Sequence, residues 1–272
     1  YINTAVQKEN IPIIAPPKYS SLPDFKDGKD LEFKIELTVM PKFKLGNLKK
    51  ISINKEEVKI EEKDIEEVLK ELKVKNETTA KKIGDSWAKE IAKKLGLEKI
   101  ENLEDLKKMI KDTLKTQKEH MVLHNNQDEA LKQGIELSNI KIPQEAIDFE
   151  SQERERAFEQ DMQMRGVKVD DFLEQSGLDL KQMRGAWEKD AKEALENDVF
   201  LNLYADKKDI KVSKEELDKK IEEIKKSQPN ADQSIFSNEE WLEYIKRVER
   251  KEKAFREFIK ETLGDDSLDE HN

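Results

Sequence analysis

Leu31, Phe33, Ile35, Leu37 and Val39 alternate with Glu32, Lys34, Glu36 and Thr38. That is the period of a strand with one face buried. Met40-Pro41 closes it, because proline has no N–H for a ladder. A shorter alternation, Ile51-Ser52-Ile53-Asn54, predicts a second strand. Two strands alone do not make a stable sheet. Partners from ahead of Tyr1, or a helix to pack on, are expected. Residues 1–30 read as loop, with Pro12, Pro16, Pro17 and Pro23 and a turn at Asp27-Gly28.

Beyond residue 60 the apolar period lengthens to that of a helix. Ile65, Val68, Leu69 and Leu72 mark a charged helix over 60–74, and residues 73–86 form a polar connector. Trp87, Ile91 and Leu95 stand at i, i+4, i+8, with Gly96 as a stop. Asn102 is positioned to cap a long helix with the stripe Leu103, Leu106, Ile110, Leu114, Met121 and with Gly134 near its end. Pro143 suits the first turn of the next helix. Asp170 or Asp171 is expected to cap a short one. Leu180 to Ala205 forms a further long helix. Ser213-Lys-Glu-Glu216 and Ser237-Asn-Glu-Glu240 read as capping boxes, the second opening a helix from Trp241 to Leu263.

The helix from Pro143 to Arg165 is unusual. Between Phe149 and Phe158 it runs nearly without apolar residues for two turns. The pattern predicts an arm that is not gripped along its length. Met162 and Met164 follow, about 200° apart around the helix. They cannot share one seam, so at least one is expected to be accessible. Methionine is flexible and polarizable, which suits contact with many different sequences. Phe158, Met162, Met164, Phe172, Leu173, Met183 and Trp187 are therefore the candidate contact set. The bland alternative for each is ordinary packing within a helical hairpin.

Composition narrows the classes. Of 272 residues, 41% are charged and 35% hydrophobic. One compact globule carries about 25% charged residues, so an elongated helical protein with thin apolar seams is expected. The net charge of −10 comes from 51 basic and 61 acidic residues, interspersed. No basic block supports nucleic-acid binding. Cysteine is absent, which removes thiolate chemistry. No apolar run nears the ~20 residues of a membrane helix. His120, His124 and Asp128 share a helical face, yet a zinc-protease pattern would need Glu where Met121 stands. No G-x-G pair or phosphate loop occurs. No cofactor, metal or catalytic residue is assigned. The chain starts at Tyr1, so a fragment or processed form is expected.

The segment Val39-Met40-Pro41-Lys42-Phe43-Lys44-Leu45-Gly46-Asn47-Leu48 resembles the bacterial trigger factor family. The resemblance resumes at Asp85-Ser86-Trp87-Ala88-Lys89-Glu90-Ile91-Ala92-Lys93-Lys94-Leu95-Gly96 and again from Ile140 to Glu150. It implies a mostly α fold with a small α+β remnant at 1–58, a linker at 59–86, a helical body with protruding arms at 87–264, and an acidic tail at 265–272. It implies a cytoplasmic, ATP-independent chaperone of unfolded or nascent polypeptides, for which the pattern-based contact set above is the expected client surface. Most members carry an FKBP-type prolyl isomerase domain where the connector lies. Residues 73–86 are too few for it, since independent domains below ~40 residues are rare. Ribosome contact is expected only through a region ahead of Tyr1. The rival readings are a prolyl isomerase and a secretion or periplasmic-type helical chaperone.

Overall fold

The computed structural model describes residues 8, 13–19, 34–54, 57–76, 78–97, 99–229 and 232–267. Among them the chain is mostly α: α1 (Glu62–Lys75), α2 (Asp85–Lys94), α3 (Leu103–Leu137), α4 (Gln144–Met164), α5 (Val169–Ser176), α6 (Leu180–Lys207), α7 (Lys214–Ser227) and α8 (Glu239–Leu263). Among the described residues the strands are β1 (Lys18–Tyr19) and β2 (Ile35–Glu36). Two compact units form. One holds residues 1–50 with 131–258, the other 51–130 with 259–272. Both are discontinuous in sequence, a grouping that no linear boundary expresses.

The β element corrects the sequence reading in two ways. The partner of the Ile35–Val39 strand comes from the proline-rich start expected to be loop. Lys18 pairs with Glu36 and Tyr19 with Ile35, antiparallel, and an isolated bridge joins Ile13 to Val39. Pro16 and Pro17 fall between these pairings and supply no N–H, which splits the ladder. Ile51–Asn54 forms no strand. Residues 31–33 of the expected strand lie outside the described residues.

In the 51–130 unit, Ile65 and Leu69 of α1, Trp87 and Ile91 of α2, and Leu106 and Ile110 of α3 make one buried cluster. Trp87 is fully enclosed, and its indole Nε1 meets no acceptor. The connector before α2 is held by side chains. Glu90 accepts from the backbone N–H of Thr79 (2.8 Å) and Ala80 (3.3 Å), and Lys73 Nζ donates to the Lys81 carbonyl at 2.8 Å. Those bonds hold the Glu90 carboxyl below its usual range, the Thr79 backbone donor contributing most. Asn102 Oδ1 accepts from Asp105 N at 2.9 Å, capping α3 as its sequence indicated.

The other unit is built on rings and on two glycines near the end of α3. Phe258 of α8 meets Phe200 (5.0 Å, 77°) and Tyr204 (5.6 Å, 73°) of α6 edge to face. Phe200 lies over Gly134, where an added Cβ would stand 2.5 Å from the ring. Gly46 approaches the C-terminal end of α3 so closely that a Cβ there would be 2.2 Å from the Leu137 carbonyl oxygen. Its N–H donates to Ser138 Oγ at 3.0 Å, and that hydroxyl donates to the Gly134 carbonyl at 2.7 Å. The segment carrying the family resemblance is thus pinned to α3 by backbone approach.

Helices α7 and α8 are joined by charge. Ser213 and Glu216 form the expected capping box of α7. Glu216 also accepts from Lys253 Nζ at 2.7 Å, and Lys220 reaches Glu252 at 2.9 Å. The second expected box is corrected. Asn238, not Ser237, caps α8 by accepting from Trp241 N at 3.0 Å, while the Ser237 hydroxyl turns back to the Ser234 carbonyl.

Two outcomes are expected. Gly46→Ala must displace main chain rather than a flexible side chain, and urea unfolding is expected to show a loss of about 1–3 kcal/mol. For the α7–α8 contact, Lys253 and the Ser213 N–H lower the Glu216 pKa from 4.5 to about 2. A lowered folded pKa gives stability that is full above the unfolded value and is lost as pH falls toward the folded one. Thermal melts of wild type and Glu216→Gln should differ near neutral pH and converge between pH 4.5 and about 2. A pH-independent gap would reject the ion pair as its source.

Candidate functional site

Helix α4 packs along α6, and the short α5 lies between them in sequence. The apolar-poor stretch of α4 is nevertheless held. Arg184 of α6 grips Glu155 of α4 through Nε (2.9 Å) and its terminal nitrogen (2.5 Å). This forked contact does the work of the missing apolar seam. The sequence expectation of an ungripped helix is corrected there.

Below that ion pair, Phe158 contacts Phe172 of α5 (5.7 Å, 63°) and Trp187 of α6 (5.5 Å, 49°). Phe158, Phe172, Leu173, Met183 and Trp187 are all half-buried. The structure therefore brings three of the seven candidates, Phe158, Phe172 and Trp187, into contact, and leaves these and Leu173 and Met183 partly open to solvent. The two methionines part company. Met162 is 6% exposed and is a core side chain, whereas Met164 is 81% exposed.

The turns on either side of α5 place further apolar groups outside. α4 ends at Gly166 with φ 69°, Val167 N–H returning to the Met162 carbonyl (2.9 Å) and Gly166 N–H to Gln163 (3.0 Å). This is a Schellman ending, in which the residue after the glycine is characteristically apolar. α5 also ends at a left-handed glycine, Gly177 (φ 65°), where the N–H groups of Gly177 and Leu178 both return to the Leu173 carbonyl, the latter at 3.2 Å. Val167 and Leu178 remain 39% and 46% exposed. Sequence reasoning missed both. The signal was the apolar residue directly after each glycine. The expected cap of α5 also shifts: Lys168 is the N-cap, and Asp170 and Asp171 fill the first turn, where the helix dipole favours acids.

The rim is charged. Arg165 pairs with Asp161 at 2.9 Å, and Asp179 accepts from Lys181 N at 2.8 Å. The arrangement offers apolar contact area, with no nucleophile or proton-transfer group built into it. Elsewhere, His120 lines a cleft of about 490 Å³ with Val58, Glu119, Leu123, Asn126 and Leu263. Among the described residues, no group of three or more His, Cys, Asp or Glu could hold a metal ion. No described helix is long and apolar enough to cross a membrane.

Comparison with known proteins gives a consistent likeness. Residues 102–260 match the model for the bacterial trigger factor protein C-terminus, and residues 1–72 match that for the bacterial trigger factor protein. The trigger factor of Halalkalibacterium halodurans is 28% identical over 175 residues, covering 63% of this chain and 39% of that protein. That of Halothermothrix orenii is 30% identical over 158 residues, covering 58% and 35%. The chain thus spans well under half the length of these relatives. A solved trigger factor chaperone structure, described for promiscuous substrate recognition in folding and assembly, overlays with a TM-score of 0.44 at 15% identity. That overlay covers 96% of this chain and 83% of the other, and it is too loose to carry an argument.

The contrast between the methionines is measurable. Met162→Ser should destabilise by about 2–5 kcal/mol, as buried large-to-small changes do. Met164→Ser should stay within about 0.5 kcal/mol of wild type. Equal effects in urea unfolding would place both residues in the same environment.

Proposed function

The chain belongs to the bacterial trigger factor family, and from that premise we propose that it acts as an ATP-independent holding chaperone for unfolded or nascent polypeptides in the cytoplasm. The observation that carries this reading is the apolar hairpin tip. Met164, Val167 and Leu178, at the turns on either side of α5, are exposed, while Phe158, Phe172, Leu173, Met183 and Trp187 are half-buried. Met162 leaves the contact set because it is buried.

The mechanism follows from the surface. Aliphatic and thioether groups lack directional demands, so they accept varied sequences. Each contact is small, so each is weak. Several engaged along one extended client add through effective concentration and still release quickly, one at a time. The charged rim, including Arg165, Asp161, Arg184 and Glu155, keeps the loaded complex hydrated. No step is routed through prolyl isomerisation. Residues 73–101, between the two family matches, hold the connector and α2 of the Trp87 core. Ribosome docking is assigned to no residue of this chain.

The test is light scattering from a refolding client protein at near-stoichiometric chain and without ATP. Suppression is expected, with a weaker effect for the Met164→Ser/Val167→Ser/Leu178→Ser variant at unchanged helicity. Full suppression by that variant would move the site elsewhere. No suppression by wild type would reject the holding function.

A further inference from the structure

We infer that Met164 is a modification site, a thioether whose oxidation by peroxides switches off the hairpin tip; this rests on the holding function proposed above. Six methionines occur in the chain. All six lie among the described residues, and only Met121 (62%) and Met164 are exposed. Met164 is the last residue of α4, and the turns before and after α5 that follow it in sequence carry the exposed Val167 and Leu178. Met121 lies midway along α3, in the other compact unit.

The chemistry is balanced by the oxidant alone. The Met164 sulfur attacks the terminal hydroxyl oxygen of a hydroperoxide, the O–O bond breaks as an S–O bond forms, and the proton of that hydroxyl passes to the departing oxygen. The sulfur loses an electron pair, and the peroxide leaves as water or alcohol. The product sulfoxide is polar and chiral where the thioether was apolar and adaptable. A client side chain docking on it must strip water from the S–O dipole without gaining a partner. Stability is little affected, because the side chain contributes little to the core. Met162, two residues away and buried, is shielded from the same reagent. Absence of cysteine leaves methionine as the oxidisable sulfur of this chain. The switch is reversible by sulfoxide reduction.

The experiment treats the full chain with graded hydrogen peroxide. Peptide mass spectrometry then follows Met121, Met162 and Met164, and client light scattering is measured in parallel. Oxidation of Met121 and Met164 is expected well before Met162. On peroxide treatment holding should fall several-fold in wild type and in Met121→Leu, each relative to its own untreated level, whereas Met164→Leu, which cannot be oxidised at that position, should keep whatever holding it shows before peroxide. A methionine sulfoxide reductase with a thiol reductant should restore it. Undiminished holding with Met164 fully oxidised would overturn the switch. So would equal loss in Met164→Leu. Failure of the unoxidised chain to hold any client is read before peroxide is added, and it would reject the holding function itself, with the switch falling as a consequence.

Discussion

The close approach of backbone and ring to the last turns of α3 governs much of the 1–50/131–258 unit. At Gly46 the Leu137 carbonyl occupies the place of a side chain, and at Gly134 the Phe200 ring does. Ser138 links the two positions by bonding to Gly46 N–H and the Gly134 carbonyl. Phe200 and Tyr204 then meet Phe258, so the C-terminal half of α6 is fixed by interlocking rings. The N-terminal half of the same helix carries Met183, Arg184 and Trp187. One helix thus divides its labour. Its buried end is packed to the point where a methyl group would not fit, and its other end presents a partly open seam.

Charge performs structural work that apolar residues do elsewhere. Glu155–Arg184 ties α4 to α6, Asp198–Lys251 ties α6 to α8, and Glu216–Lys253 ties α7 to α8. Exposed pairs of this kind are individually weak, about 0–1 kcal/mol. Their value is in register. They supplement thin apolar contacts such as Phe158–Trp187 between α4 and α6 and Phe200–Phe258 between α6 and α8. A chain that is 41% charged can therefore be mostly helix and still display its few exposed apolar groups in chosen places.

What the sequence revealed follows from the range of the interaction concerned. Helix positions were readable because periodicity and caps are local: the expected 60–74 helix is Glu62–Lys75, and Asn102 and Ser213 cap as expected. Partners distant in sequence were not. Nothing local pairs Lys18 with Glu36 across a proline-rich start, or selects Glu155 among 61 acidic residues as the mate of Arg184. The candidate surface was half legible. Helical geometry required Met162 and Met164 to diverge, but only packing decides which faces inward. Val167 and Leu178 were hidden because an apolar residue after a glycine first reads as the end of a helix.

Pro16 and Pro17, which separate the β1–β2 pairing from the Ile13–Val39 bridge, bear on a hazard of any short, open sheet. An open strand edge is a template, and any extended polypeptide with free N–H and C=O groups can zip onto it. Tandem prolines remove two successive N–H donors from this run of chain. A visiting polypeptide would find a broken register there rather than a continuous one. The short, interrupted sheet thereby discourages adhesion through main chain, the kind of attachment least able to let go.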